Sequence, residues 1–95
     1  MHNLVMTLGK DGILALAGKR TFHAVAPRQQ AVNAAGAGDS VSAALTWRLY
    51  NGDDWPAALQ WAGAVSAAVT LTEGTADCRM EDAERIYPDV VVREL

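Results

Sequence analysis

Cysteine is almost missing from this chain: Cys78 stands alone, so no disulfide can form within it. That excludes a disulfide-stapled scaffold and fits a reducing compartment. Proline occurs 3 times and glycine 8 times in 95 residues, too seldom for a collagen-like or disordered chain. Positive charge is scarce too, with 8 Lys and Arg against 11 Asp and Glu, a net charge of −3, and no basic run longer than Lys19-Arg20. The basic stripe of a nucleic-acid binder is therefore lacking, and no nucleic-acid partner is expected. The opening "MHNLVMTLGK" has no basic n-region, and its apolar run is too short for a signal peptide or a membrane span. A cytoplasmic protein without a membrane partner is expected. His2 and His23 have no Cys or carboxylate at ligand spacing, so no zinc site is expected either.

What is present is ordinary for an ordered globular protein, with 51% apolar and 20% charged residues. A chain this short holds one domain at most, with no internal boundary and a core that is marginal if it stands alone. Leu4 to Leu8 is a short β-compatible run; Leu4-Val5-Met6 reads as a buried strand, and "GKDG" follows as a turn. Ile13 to Ala17, the Gly18 to Arg20 turn and Thr21 to Val25 read as a hairpin stopped by Pro27.

From Asp39 the period changes. Val41, Leu45 and Leu49 recur every four residues with Ala44 beside them, predicting an amphipathic helix that ends near Asn51-Gly52. A second helix is expected from Asp53 or Asp54, with Pro56 in its first turn, stopping by Gly74. Leu59, Ala62, Val65 and Val69 form one face of it, kept thin by many alanines. A third, about Met80 to Tyr87, buries Ala83 and Ile86 and ends at Pro88, with a possible Glu81 to Arg85 pair; "VVV" at 90–92 reads as a last strand. Trp47, Trp55 and Trp61 read as packing residues. Strands followed by helices give an α/β layering.

The chemistry-bearing stretch is "VNAAGAGDS", where the smallest residues meet a carboxylate at a helix start. The first turn of a helix leaves backbone N–H groups unpaired and carries partial positive charge, so it attracts anions. Without bulky side chains, Gly36, Ala37 and Gly38 would let a phosphate approach those N–H groups closely. Asp39 in the same turn is electrostatically favoured as a carboxylate and can accept a hydroxyl proton. A base beside an anion hole suits phosphoryl transfer. A second reading stands beside it: Ala35-Gly36 as a plain turn and Asp39 as a favourable first-turn acid. Two rival phosphate motifs fail on spacing. Gly9-Lys10 and Gly18-Lys19 are followed by Asp11 and Arg20, not the Ser or Thr of a P-loop, and a Rossmann fingerprint needs glycine where Val41 stands.

Taken in order, "VMTLGKDGILAL", "VNAAGAGDS" and "TEGTADCRMEDAERIYP" resemble the C-terminal third of the ribokinase-like (PfkB-type) carbohydrate kinases, over nearly the whole chain. The last stretch looks most like the phosphosugar kinases: the phosphofructokinase, 1-phosphofructokinase and tagatose-6-phosphate kinase group. The resemblance implies the C-terminal portion of a ribokinase-like fold, short strands and a hairpin followed by packed helices, here as the nucleotide-binding portion of a sugar kinase. It implies Asp39 as catalytic base, Gly36, Ala37 and Gly38 as the anion hole, and Thr7, Leu8, Gly9, Lys10, Asp11, Gly12 and Ala67 as the nucleotide-binding set. Glycines 9 and 12 would equally serve a tight strand-to-hairpin turn. ATP and Mg2+ are the implied cofactors, with K+ held by backbone carbonyls of Asn33, Ala35, Val69, Thr72, Gly74 and Ala76. The sequence departs from the family pattern at Asn33, where Asp is common, and at Ala34, where Thr is usual.

The implied function is ATP-dependent phosphoryl transfer to a hydroxyl of a phosphorylated ketohexose, complete only in a full-length parent. The alternative is a noncatalytic nucleotide-binding or oligomerising fragment. Members of the family are about three times longer, and the lid, the sugar-phosphate contacts and an N-x-x-E motif lie outside this chain. Where the parallel sheet of such a parent would continue, an open apolar edge is left beside Leu4 to Leu8, and a homo-oligomer is expected.

Overall fold

The computed structural model describes residues 3–8, 11–27, 37–71 and 79–95. Among them the chain runs β1 (Asn3–Thr7), β2 (Ile13–Ala17), β3 (Arg20–Val25), α1 (Ala37–Tyr50), α2 (Trp55–Val69), α3 (Met80–Ile86), a 3-10 turn (Tyr87–Asp89) and β4 (Val91–Glu94). The strands form one sheet in the order β1-β2-β3-β4, antiparallel at every step. Register places Val5, Ala15 and Phe22 on one face and Leu4, Leu16 and Thr21 on the other. The first face is the inner one: Ile13, Ala15, Phe22 and Ala24 are buried against the helices.

α2 is the central packing element. Ala58, Leu59, Ala62, Gly63, Ala64, Val65, Ala68 and Val69 are all buried, so apolar contact extends around most of the helix. The alanines keep it thin enough to lie between α1, α3 and the sheet at once. α1 contributes Val41, Ala44 and Leu45 to this core, as their spacing predicts, and Leu49 packs against its margin.

The helix ends follow local chemistry. α1 closes as the Asn51-Gly52 signal foretells: Asp53 N–H donates to the Arg48 carbonyl and Gly52 N–H to that of Leu49, each at 3.1 Å, with Gly52 at φ +95°. Arg48 then grips the loop by a two-pronged contact to Asp53, 2.7 and 3.0 Å, while its guanidinium lies 4.8 Å over the Trp47 ring and 5.6 Å over that of Trp61. Asp54 caps α2 through its carboxylate, which accepts from Ala57 N–H at 3.0 Å, with Pro56 in the first turn.

Several expectations need correction. β1 is not a buried strand: Leu4 is 55% and Met6 44% exposed, because β1 is the sheet edge and its outer face meets no helix among the described residues. It spans Asn3–Thr7 rather than residues 4–8, and its only described neighbour is antiparallel. α3 ends at Ile86, yet Tyr87 stays in the helical region (φ −47°, ψ −48°). Pro88 therefore ends the α pattern by lacking an N–H, not by pushing Tyr87 out of it. Arg85 pairs with Asp82 at 3.6 Å, three residues away, instead of with Glu81. The last strand starts at Val91 and runs to Glu94, where Arg20 makes a two-pronged contact at 2.8 and 3.1 Å. Trp55 and Trp61 pack on the core, Trp61 stacking on Tyr87 at 4.4 Å, whereas Trp47 is 43% exposed.

Candidate functional site

β1 delivers Thr7 and Leu8 to the end of the sheet, where the chain turns back into β2. Leu8 N–H donates to the Gly12 carbonyl at 2.7 Å and Asp11 N–H to the Leu8 carbonyl at 3.1 Å. His23 of β3 secures the turn from the outer face, its Nε2–H donating to the Asp11 carbonyl at 2.7 Å, which fixes the tautomer. Gly12 has φ +97°, and a Cβ there would overlap the Ala24 carbonyl oxygen. Only glycine lets the turn press against β3. The backbone demands it here with or without a ligand, and the two readings of this glycine are thus not exclusive.

α1 begins against this turn. An ideal Cβ on Gly38 would stand 3.7 Å from Thr7 Oγ1, so the end of β1 and the first turn of α1 form one corner. Gly38 and Asp39 are both exposed there, as are Thr7, Leu8 and Asp11. Ser40, the next residue, is buried at 9% exposure and takes part in a polar interaction. Helix geometry explains this alternation: residue 40 lies one turn before buried Ala44, while 38 and 39 point away from the core. The carboxylate of Asp39 is thus presented to solvent beside helix-end N–H groups. A negatively charged group brought to this corner would meet the positive end of the helix.

α1 and α2 pack side by side and are joined by the short loop 51–54, so they form a helical hairpin. With 14 and 15 residues, the helices have nearly equal length, about 21–23 Å at 1.5 Å per residue. The end of α2 therefore returns to the level of the start of α1, bringing Ala67 and Val69 back toward the corner. Ala67 is half-buried, and its carbonyl accepts from Thr70 N–H (3.2 Å) and Thr70 Oγ1–H (2.6 Å); Val69 is fully buried.

Of the expected site residues, Thr7, Leu8, Asp11, Gly12, Ala37, Gly38, Asp39, Ala67 and Val69 fall within the described residues. Gly9, Lys10, Asn33, Ala35, Gly36, Thr72, Gly74 and Ala76 lie outside them, as do Ala34 and Cys78. Sequence reasoning missed His23 and Ser40. Nothing in the sequence marks His23 as a clamp, but the i, i+4 spacing from Ser40 to Ala44 could have indicated that Ser40 faces inward.

The chain as a whole is similar to known proteins. The profile of the pfkB family carbohydrate kinase matches residues 2–83. The chain is 36% identical over 85 residues to ATP-dependent 6-phosphofructokinase isozyme 2 of Mycobacterium tuberculosis, covering 88% of this chain and 25% of that protein. It is 26% identical over 96 residues to 1-phosphofructokinase of Borreliella burgdorferi, covering 100% and 31%. Among solved structures, phosphofructokinase-2 from Escherichia coli in complex with potassium superposes with a TM-score of 0.83 at 29% identity, covering 90% of this chain and 28% of that one. The chain spans about a quarter to a third of the length of these relatives. With a family match across most of its residues and an α/β, ribokinase-like fold, the chain belongs to the pfkB family of carbohydrate kinases.

Proposed function

We propose that this chain is the phosphoryl-handling, nucleotide-binding portion of an ATP-dependent kinase that phosphorylates a hydroxyl of a phosphorylated ketohexose. One observation carries the reading: Thr7 at the start of "TLG" and Gly38 of "GAGD", far apart in sequence, come to one corner with Asp39 exposed in the same turn. The curated relatives named as phosphofructokinases support the substrate class.

In this reading the acceptor hydroxyl oxygen attacks the terminal phosphorus of ATP, and the bond to the leaving ADP oxygen breaks. Asp39 takes the hydroxyl proton. The N–H groups of Gly36, Ala37 and Gly38 hold the charge on the transferring phosphoryl. The turn from Thr7 through Leu8, Gly9, Lys10 and Asp11 to Gly12, with Ala67 from α2, borders the nucleotide. Mg2+ is expected to arrive with the nucleotide phosphates. Among the described residues no group of three His, Cys, Asp or Glu side chains is placed to hold a metal, so no step is assigned to it. Potassium, present in the complex of the Escherichia coli relative, would rest on the carbonyls of Asn33, Ala35, Val69, Thr72, Gly74 and Ala76 and would stiffen the loop ahead of α1.

Positioning of the acceptor supplies much of such catalysis, and in this reading most of the phosphosugar contacts come from the part of the relatives this chain does not span. The chain alone is accordingly expected to bind nucleotide with little or no turnover. The second reading is a noncatalytic nucleotide-binding or oligomerising module, in which the helix-end N–H groups bind an anion and Asp39 transfers no proton. A cytoplasmic setting fits either; among the described residues no helix is long and apolar enough to cross a membrane.

Calorimetric titration with ATP and Mg2+ tests the proposal. Gly38→Ala should bind as the wild type does, since its Cβ has ordinary room beside Thr7. Gly38→Val, whose extra methyls crowd Thr7 and the N–H groups, should lose at least tenfold in affinity, and Asp39→Asn should keep it. Equal binding by all variants, or none by the wild type at millimolar ATP, would remove the corner from the nucleotide site.

A further inference from the structure

Two successive residues of β3 hold two successive residues of the β1–β2 turn. The Ala24 carbonyl oxygen stands where a Cβ on Gly12 would fall, and the His23 ring bonds the Asp11 carbonyl at 2.7 Å. A carbonyl oxygen only accepts, so Nε2 carries the proton. Register puts His23 opposite Leu14 of β2 and Arg93 of β4, on the face of the sheet away from the helices. Both ends of the bond belong to this chain, so it needs nothing from the part of its relatives that the chain does not span.

The bond falls on a peptide group that its own residues hold poorly. The plane between residues 11 and 12 is oriented by ψ of Asp11 and φ of Gly12, and a glycine φ is permissive. Contact with Ala24 limits how close Gly12 can come but not where its N–H is aimed. In a trans peptide the C=O and N–H point opposite ways. A donor that draws the Asp11 carbonyl to β3 therefore aims the Gly12 N–H away from β3. The N–H groups of Leu8 and Asp11 are engaged within the turn, by the carbonyls of Gly12 and Leu8. His23 adds the one restraint on this peptide that comes from a side chain of another strand.

We infer that His23 is a positioning residue for nucleotide: it fixes the Asp11–Gly12 peptide, keeps the turn in its binding shape, and so sets nucleotide affinity without touching the ligand. The inference rests on the nucleotide reading of this corner. A turn ordered before the ligand arrives loses less freedom on binding, and that difference appears in affinity. The role requires an N–H donor at one reach, not imidazole as such. The side-chain nitrogen of glutamine is as many bonds from Cα as Nε2, and that of asparagine is one fewer.

The test has a ligand-free arm and a nucleotide arm, both on the whole chain, with each variant checked for folding by circular dichroism. Imidazole 15N signals of the wild type should show the Nε2–H tautomer. Amide exchange at Leu8 and Asp11 should be about tenfold faster in His23→Leu and His23→Asn and within about twofold of the wild type in His23→Gln, with α1 and α2 unchanged. Affinity for ATP with Mg2+ should fall about tenfold in His23→Leu and His23→Asn and be restored in His23→Gln. An Nδ1–H tautomer, or unchanged exchange in His23→Leu, would overturn the inference whether or not the chain binds nucleotide. Faster exchange with unchanged affinity would also overturn it, leaving His23 a structural clamp alone. So would equal loss of affinity in His23→Gln and His23→Leu, since the donor would then not be what matters. If exchange follows the clamp but the wild type binds no ATP, the nucleotide reading of the corner fails and carries this inference with it.

Discussion

Replacing Gly12 by alanine should destabilise the protein by about 2–5 kcal/mol, in two separable parts. The residue has φ +97°, which costs a side-chain-bearing residue about 1–2 kcal/mol. The added Cβ would also overlap the Ala24 carbonyl oxygen and lie 3.2 Å from Val25 Cγ2. Relief requires the turn to move off β3, an overpacking penalty of about 1–3 kcal/mol. Gly52 is the internal control: it has φ +95° but no atom within 4 Å of its Cβ position, so Gly52→Ala meets the conformational part alone. In a domain of this size each kcal/mol lowers Tm by about 4–8 °C. Thermal melts followed by circular dichroism should place Gly12→Ala roughly 8–40 °C below the wild type and clearly below Gly52→Ala. Equal melting of the two variants would refute the argument, because it would mean that the turn does not press on Ala24.

Two further outcomes follow from the polar contacts of Asp54 and Glu94. Asp54→Ala removes the carboxylate that accepts from Ala57 N–H and should cost about 1 kcal/mol, read as a fall in urea midpoint at unchanged slope; Asp54→Asn should retain most of it. The hydrogen bond from Arg20 holds the Glu94 carboxyl below its usual 4.5. A carboxyl with a lowered folded pKa adds stability above its unfolded value, and that contribution is lost as pH falls through the folded one. Acid should therefore loosen the β3–β4 edge, and Arg20→Gln should return the NMR titration midpoint of Glu94 toward 4.5; an unmoved midpoint would contradict the pairing.

Much of the fold is legible in the sequence because its signals are local. The 4-residue recurrence of Val41, Leu45 and Leu49, the Asn51-Gly52 stop and the Asp54 cap with Pro56 are each decided within one or two turns of chain. β1 was not legible in that way. Leu4-Val5-Met6 is apolar enough for a core, but which face of a strand is covered depends on what other elements bring to it. Arg85 illustrates the same point at smaller scale: spacing allows Glu81 or Asp82, and the half-buried Asp82 is the one it meets. As for the candidate site, "GAGD" and "TLGKDG" could be picked out as motifs, but not their meeting. The approach of Gly38 to Thr7 and the clamp of His23 on the Asp11 carbonyl are long-range contacts that no periodicity encodes.

The most direct test of the central claim is an amide NMR titration of the uniformly 15N-labelled chain with ATP and Mg2+. Saturable shifts are expected, confined to Thr7 through Gly12, to Ala37 through Asp39 and to the end of α2 near Ala67. β4 and α3 should stay unmoved. Shifts centred elsewhere, or none at millimolar nucleotide, would contradict the assignment of this corner to phosphoryl handling.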